Sequence, residues 1–152
     1  MAKLIGIAFK AKSEAPMETA AAARIEVESG LSGDYSGKLF KKRQVTVLSK
    51  EAWEAACADL GESLDWTTRR ANLFVEGLPS LADSKGQRLR IGGALLEITE
   101  ETEPCHRMDE ARRGLREALN RDWRGGVCCR VIESGDVAEG DPAELIAAEA
   151  VA

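Results

Sequence analysis

Histidine occurs once in this 152-residue chain, at His106, so a closed zinc site of paired cysteines and histidines lacks its ligands. The four cysteines, Cys57, Cys105, Cys128 and Cys129, include no C-x-x-C pair. Met1 to Ile7 carries one lysine and a short apolar run before the chain turns polar at Lys10. This stretch reads as a first strand rather than a leader peptide, which argues against a disulfide framework and for a cytoplasmic protein. Cys128 and Cys129 are neighbours in a strand-like run, so they face opposite sides and cannot share one metal. No apolar run approaches the roughly 20 residues that a bilayer requires, so no membrane association is expected. No G-x-G-x-x-G marks a flavin or nicotinamide site. No GKS or GKT follows the glycine-rich stretch from Gly30 to Lys38, which excludes a P-loop.

What is present fits a globular protein, with 44% apolar and 31% charged residues, read as a single domain over 1–152. The net charge of −5 counts against a nucleic-acid partner, since such proteins are usually basic. Positive charge nevertheless gathers in two places: Lys38, Lys41, Lys42 and Arg43, then Arg69-Arg70. On an acidic chain such concentration suits a small anion, although a solvated basic face explains the first cluster equally well.

Alternation of apolar residues predicts strands over 4–9, with Ile5, Ile7 and Phe9 inward, and over 24–28, with Ile25 and Val27 inward. Further strands are predicted at 44–48, 73–78, 89–99 and 127–133. Ser49 is placed to cap a helix over 50–60 in which Trp53, Ala56, Cys57 and Leu60 share one face, with Gly61 as the stop. A second helix is expected over about 109–120. Asp141 and Pro142 suggest a short terminal helix. The glycines from Gly30 to Gly37 permit a loop whose amides could cradle an anion. Several strands, two clear helices and glycine turns predict a mainly β (α+β) fold: a compact β-barrel with a few helices packed outside.

The chemistry centres on Glu103-Pro104-Cys105-His106-Arg107. Proline cannot donate to a ladder, so Cys105 stands where a strand ends, next to the sole histidine and two residues before an arginine. Basic neighbours favour the thiolate, which is both nucleophile and metal ligand. Arg70 and Asn72 share a face at the mouth of the next strand and could hold an oxyanion.

The ordered set Gly30-Leu31-Ser32-Gly33-Asp34, Arg43 to Ser49, Arg69-Arg70-Ala71-Asn72-Leu73, Gly77-Leu78, Gly86 to Thr99, Pro104-Cys105 and Gly126 to Asp141 resembles the MOSC family in its small stand-alone bacterial form. Small members often carry a histidine near the Gly-Asp turn, where this chain has Tyr35-Ser36. The resemblance implies a β-barrel that binds a molybdenum cofactor (molybdopterin). Cys105 would be the molybdenum ligand or a persulfide carrier, and Arg70, Asn72 and Ser49 would contact the pterin phosphate. It further implies a reductase of small N-hydroxylated compounds fed by a redox partner. The alternatives are a sulfur carrier that takes its persulfide from a sulfur donor protein and passes it to a metal centre, and a non-catalytic small-anion binder.

Overall fold

The computed structural model describes residues 1–37 and 39–147. In chain order its strands are β1 (Ala2–Phe9), β2 (Glu18–Ala20), β3 (Ala22–Glu26), β4 (Gly30–Leu31), β5 (Val45–Ser49), β6 (Leu73–Glu76), β7 (Arg88–Ile91), β8 (Ala94–Glu101), β9 (Val127–Glu133), β10 (Gly135–Ala138) and β11 (Pro142–Ile146). Three helices accompany them: α1 (Lys50–Leu60), α2 (His106–Ala111) and α3 (Leu115–Leu119). Seven strands close into a barrel in the order β1-β11-β7-β8-β9-β5-β6 and back to β1, with β2 added on β1. A ring of seven cannot alternate direction throughout, so one pair has to be parallel. That pair is β5 and β6. A parallel pair needs a crossover rather than a hairpin, and α1 lies on it. Strands β10, β3 and β4 form a small separate sheet.

The parallel pair is buried on both faces, as crossover-covered strands are. Val45, Val47, Leu73 and Val75 point into the barrel, while Leu48 and Phe74 point out to a second core with Trp53, Met108, Leu115 and Leu119. Helix α1 follows its predicted pattern. Trp53, Ala56 and Cys57 are buried, Ser49 Oγ accepts from the Ala52 N–H at 3.3 Å, and Gly61 ends the helix at φ 66°.

Several expectations are corrected. In β1, Ile7 lies in the barrel core and Phe9 packs against it as expected, but Leu4 takes the inward place expected of Ile5, which joins the second core. The register against β6 slips between Leu4 and Gly6, and a bulge of that kind reverses the facing of the residues beyond it. A Cβ at Gly6 would lie 2.7 Å from the Trp66 indole, which stacks on Phe74 at 4.8 Å. Val27 is 43% exposed because the strand ends at Glu26, and its N–H is taken by Ser134 Oγ at 2.8 Å. The run 89–99 is a hairpin, β7–β8, turning at Gly92-Gly93. The helix expected over 109–120 is two short ones, broken at Gly114 with φ 92°. There the Asp109 carboxylate accepts from the N–H groups of Gly114 and Arg116.

The expected terminal helix is instead β11. Asp141 uses its carboxylate on the Ala138 N–H at 2.8 Å, and β11 pairs with both β7 and β1. This strand closes the barrel. Residues 148–152 of the expected helical stretch lie outside the described residues.

Candidate functional site

Residues just past β1 and β8 meet residues just ahead of β6 and β9 and the first part of β5 with its lead-in. These surround a cavity of about 450 Å³ lined by Lys10, Arg43, Arg69, Arg70, Cys105 and Arg107 among others. A lobe of about 210 Å³ extends it past Asp34 and Asn72. Five cationic side chains face the larger cavity against one carboxylate, Glu14.

Cys105 stands on the segment between β8 and α2, in extended backbone, with an exposed side chain. Its lead-in is fixed at Thr102, whose N–H donates to the Gly126 carbonyl at 2.9 Å. The Thr102 carbonyl accepts from Arg69 Nη2 at 2.8 Å, and Arg69 Nε donates to the Gly125 carbonyl at 3.0 Å. Gly125 makes this possible: a Cβ there would lie 2.6 Å from the Thr102 oxygen and 3.0 Å from Arg69 Nη2. Arg69 is only 7% exposed, and its guanidinium is pushed down to about 10, first by burial and next by the charge of Arg43. It is the buttress under the thiol segment. His106 is exposed and does not line the cavity, whereas Arg107 does.

Arg70 adopts left-handed backbone at φ 65° and donates from Nη2 to the Ala15 carbonyl at 2.5 Å. Burial lowers its pKa, as does Arg107, against the opposing charges of Asp34 and Glu14. Lys10 is lowered chiefly by burial, with Asp34 acting the other way. Arg107 pairs with Glu14 at 3.1 Å. Arg43 reaches the cavity from a 3-10 turn, Lys41–Arg43. Lys41 and Lys42 do not line it, and Lys38 lies outside the described residues.

Asn72 touches the smaller lobe, but every polar group of its side chain is engaged within the protein. Oδ1 accepts from Thr46 N–H at 3.0 Å and lies 3.3 Å from Thr46 Oγ1, and Nδ2 donates to the Ala8 carbonyl at 3.1 Å. It straps β1 to β5 where β6 has not yet begun. Ser49 corrects the sequence expectation of a phosphate contact. It sits at the far end of β5, about 10 Å from Thr46 along the strand, and its hydroxyl caps α1.

The glycine loop is corrected as well. Gly30, at φ 75°, and Gly37 let it fold against the Gln44 and Ser29 carbonyls, but three of its amides are used internally. Ser32, Asp34 and Tyr35 donate to the carbonyls of Arg24, Leu31 and Lys10. What the loop gives the site is side chains: Asp34, Tyr35 and Ser36. Sequence reading missed Lys10, whose one signal was a cation ending an apolar strand.

The other thiols are buried. Cys128 lies 3.3 Å from Thr102 Oγ1, and burial raises its pKa. Cys129 points into the barrel core, where burial raises it much further.

Fold and site together define a small closed β-barrel with a cationic cavity that has a free thiol on its wall. The MOSC domain model matches residues 9–144, and the chain belongs to that family, which is associated with molybdenum-cofactor binding. Among solved structures it is similar to the YuaD protein from Bacillus subtilis, at 21% identity and TM-score 0.80, covering 97% of each chain. It is also similar to YiiM from Geobacillus stearothermophilus, at 15% identity and TM-score 0.74, covering 96% of this chain and 75% of that one. YiiM from Escherichia coli gives 18% identity and TM-score 0.71, with 95% and 70% covered. At these identities the likeness is one of fold. No curated protein matches the sequence. No helix among the described residues is long and apolar enough to cross a membrane.

Proposed function

We propose that the chain holds a molybdenum cofactor in this cavity, with the Cys105 thiolate as its protein ligand. The observation that carries the reading is an exposed thiol on the wall of a cavity faced by five cationic side chains. No cluster of three or more potential ligand side chains forms among the described residues, so the fold offers one thiolate rather than a metal cage. One soft ligand suits a metal that arrives with its remaining sulfur ligands on an organic carrier. The cations suit that carrier's phosphate, because charge-assisted bonds to arginine are the strong ones.

When bound, such a cofactor supplies a two-electron redox metal able to take up an oxygen atom. A substrate of the N-hydroxylated class would consume two electrons and two protons and leave as the amine and water. The electrons would come from an external redox partner. The protein's own part is to bind and orient. Arg69 holds the thiol segment against Gly125 and Thr102, while Lys10, Arg43 and Arg70 offset negative charge. Tyr35, Leu39 and Phe40 form the apolar side of the cavity.

The test is metal and pterin analysis of protein made in a cofactor-competent host and purified anaerobically. Molybdenum approaching one per chain, with pterin released on denaturation, is the expected result. Metal-free protein carrying extra sulfur on Cys105 would favour the second reading. In that reading the exposed thiol accepts a persulfide from a sulfur donor protein.

A further inference from the structure

The cavity uses only part of the first basic cluster: Arg43 lines it, and Lys41 and Lys42 do not. Directly before these lysines stand Leu39 and Phe40, 52% and 56% exposed. With Tyr35, at 37%, they are three of the five exposed large hydrophobic side chains among the described residues. Lys41 and Lys42 are exposed too, and neither forms an ion pair among the described residues. No Asp or Glu occurs in the sequence between Asp34 and Glu51.

The segment is held in this shape by the protein itself. The N–H groups of Leu39 and Arg43 donate to the Ser36 and Phe40 carbonyls at 3.0 and 3.1 Å, and the Gln44 N–H donates to the Cys129 carbonyl at 2.9 Å. Thr99 Oγ1 donates to the Lys42 carbonyl, which fastens the 3-10 turn to β8. Solvated lysines are ordinary, and so are single exposed apolar residues. Adjacent leucine and phenylalanine left in water on a fixed turn mark a contact surface. An apolar centre with a charged rim is the anatomy of a protein-docking face, and a pre-shaped face loses little freedom on binding. Tyr35, Leu39 and Phe40 also line the thiol cavity, so whatever covers the patch stands beside that cavity. This continuity favours a protein that serves the site over a lipid surface.

We infer that Leu39, Phe40, Lys41 and Lys42 form the docking face for the electron donor, a small acidic carrier protein that presents carboxylates around an apolar patch. The donor's role rests on the redox reading above; the docking face itself does not. Each docking passes one electron and leaves the carrier oxidised by one. Two such events, with two protons, complete the reduction to amine and water.

The test titrates cofactor-free protein calorimetrically with plant-type ferredoxin, a small acidic one-electron carrier, at constant ionic strength. Saturable one-to-one binding is expected. Phe40→Ser should weaken it at least fivefold through the contact centre, and Lys41→Glu at least fivefold through like-charge repulsion at the rim. Lys3→Glu makes the same charge change about 23 Å from Lys10 along β1 and should stay within about twofold. All three side chains are exposed or on the surface of the fold, and thermal unfolding verifies that each variant is folded. No saturable binding by the parent protein would overturn the docking face, as would equal weakening by Lys3→Glu. A dimer in sedimentation that Phe40→Ser dissolves would overturn it in favour of a second copy. Binding to phosphatidylglycerol vesicles that Phe40→Ser abolishes would overturn it in favour of a membrane.

A second arm mixes reduced ferredoxin with molybdenum-loaded protein and follows ferredoxin oxidation by stopped flow. Oxidation that Phe40→Ser slows at least fivefold supports the face as the entry point for electrons, and an unchanged rate would overturn that role. Ferredoxin binding by a parent protein that never carries molybdenum would sink the cofactor reading and leave the docking face standing. Loaded protein that binds no ferredoxin would sink the face and leave the cofactor reading standing.

Discussion

Asn72→Ala tests whether that side chain is a strut or a ligand contact. The substitution removes the Oδ1 acceptor from Thr46 and the Nδ2 donor from the Ala8 carbonyl. The Thr46 N–H and the Ala8 C=O would then be left unpaired at a place where no β6 ladder replaces them. Each orphaned buried group costs about 1–3 kcal/mol. The smaller lobe of the cavity reaches Asn72 and Thr46, so water can repair part of the loss, which puts the net at about 2–3 kcal/mol. For a chain of this size that lowers Tm by roughly 4–12 °C. Urea unfolding of cofactor-free protein should show the midpoint falling at constant m-value. Asn72→Asp should be no milder, because it sets a carboxylate oxygen against the Ala8 carbonyl. A loss below about 0.5 kcal/mol together with reduced cofactor content would refute the strut and restore Asn72 as a ligand contact.

Limiting iodoacetamide on unliganded protein should label Cys105 before Cys57, Cys128 or Cys129, since it alone of the four is exposed. Peptide mapping that finds another thiol first would count against it. Cys105→Ser should end molybdenum or persulfide loading without lowering Tm. Ser49→Ala should cost about 1 kcal/mol through the lost cap of α1 and leave molybdenum content unchanged; a drop in content at unchanged stability would return Ser49 to the site. Alkaline stability should depend on Cys128 and Cys129. Burial raises both thiols above their ordinary 9.0, so above pH 9 the unfolded chain releases protons that the folded chain keeps. By linkage, stability is unaffected below that pH and falls as pH rises beyond it. Cys129→Val should flatten the fall in urea-midpoint measurements between pH 8 and 10, and an unchanged slope would show that other groups govern it.

Local pattern carried the parts of the fold that rest on local rules. Helix α1 needs only its serine cap, its apolar face and its glycine stop, and all three are adjacent in sequence. Strand β9 has continuous apolar character and no competing signal. The misreadings share a cause, which is contact made far along the chain. The facing of β1 depends on a bulge against β6, with Trp66 packed on Gly6. β11 is a strand because the barrel offers it two open edges. Its Asp-Pro start satisfies helix rules equally well.

The same division runs through the site. Cys105 was legible because Pro104 marks a strand end by itself, and Arg70 because two arginines precede a strand. Arg43 appeared only as part of a basic cluster, in which it is the one described member that reaches the cavity. Lys10 and Arg69 acquire their roles through closure, which brings the end of β1 and the start of β6 to one rim. The net charge of −5 therefore misleads if it is spread evenly over the surface. Screening confines an exposed charge to about 8 Å at physiological salt, so a ligand at the rim feels the cations around it and little of the acidic remainder. Burial of Arg69 strengthens that local field by removing the solvent that would damp it. The proposed preference for an anion thus rests on the local field of the cavity on whose wall the thiol stands.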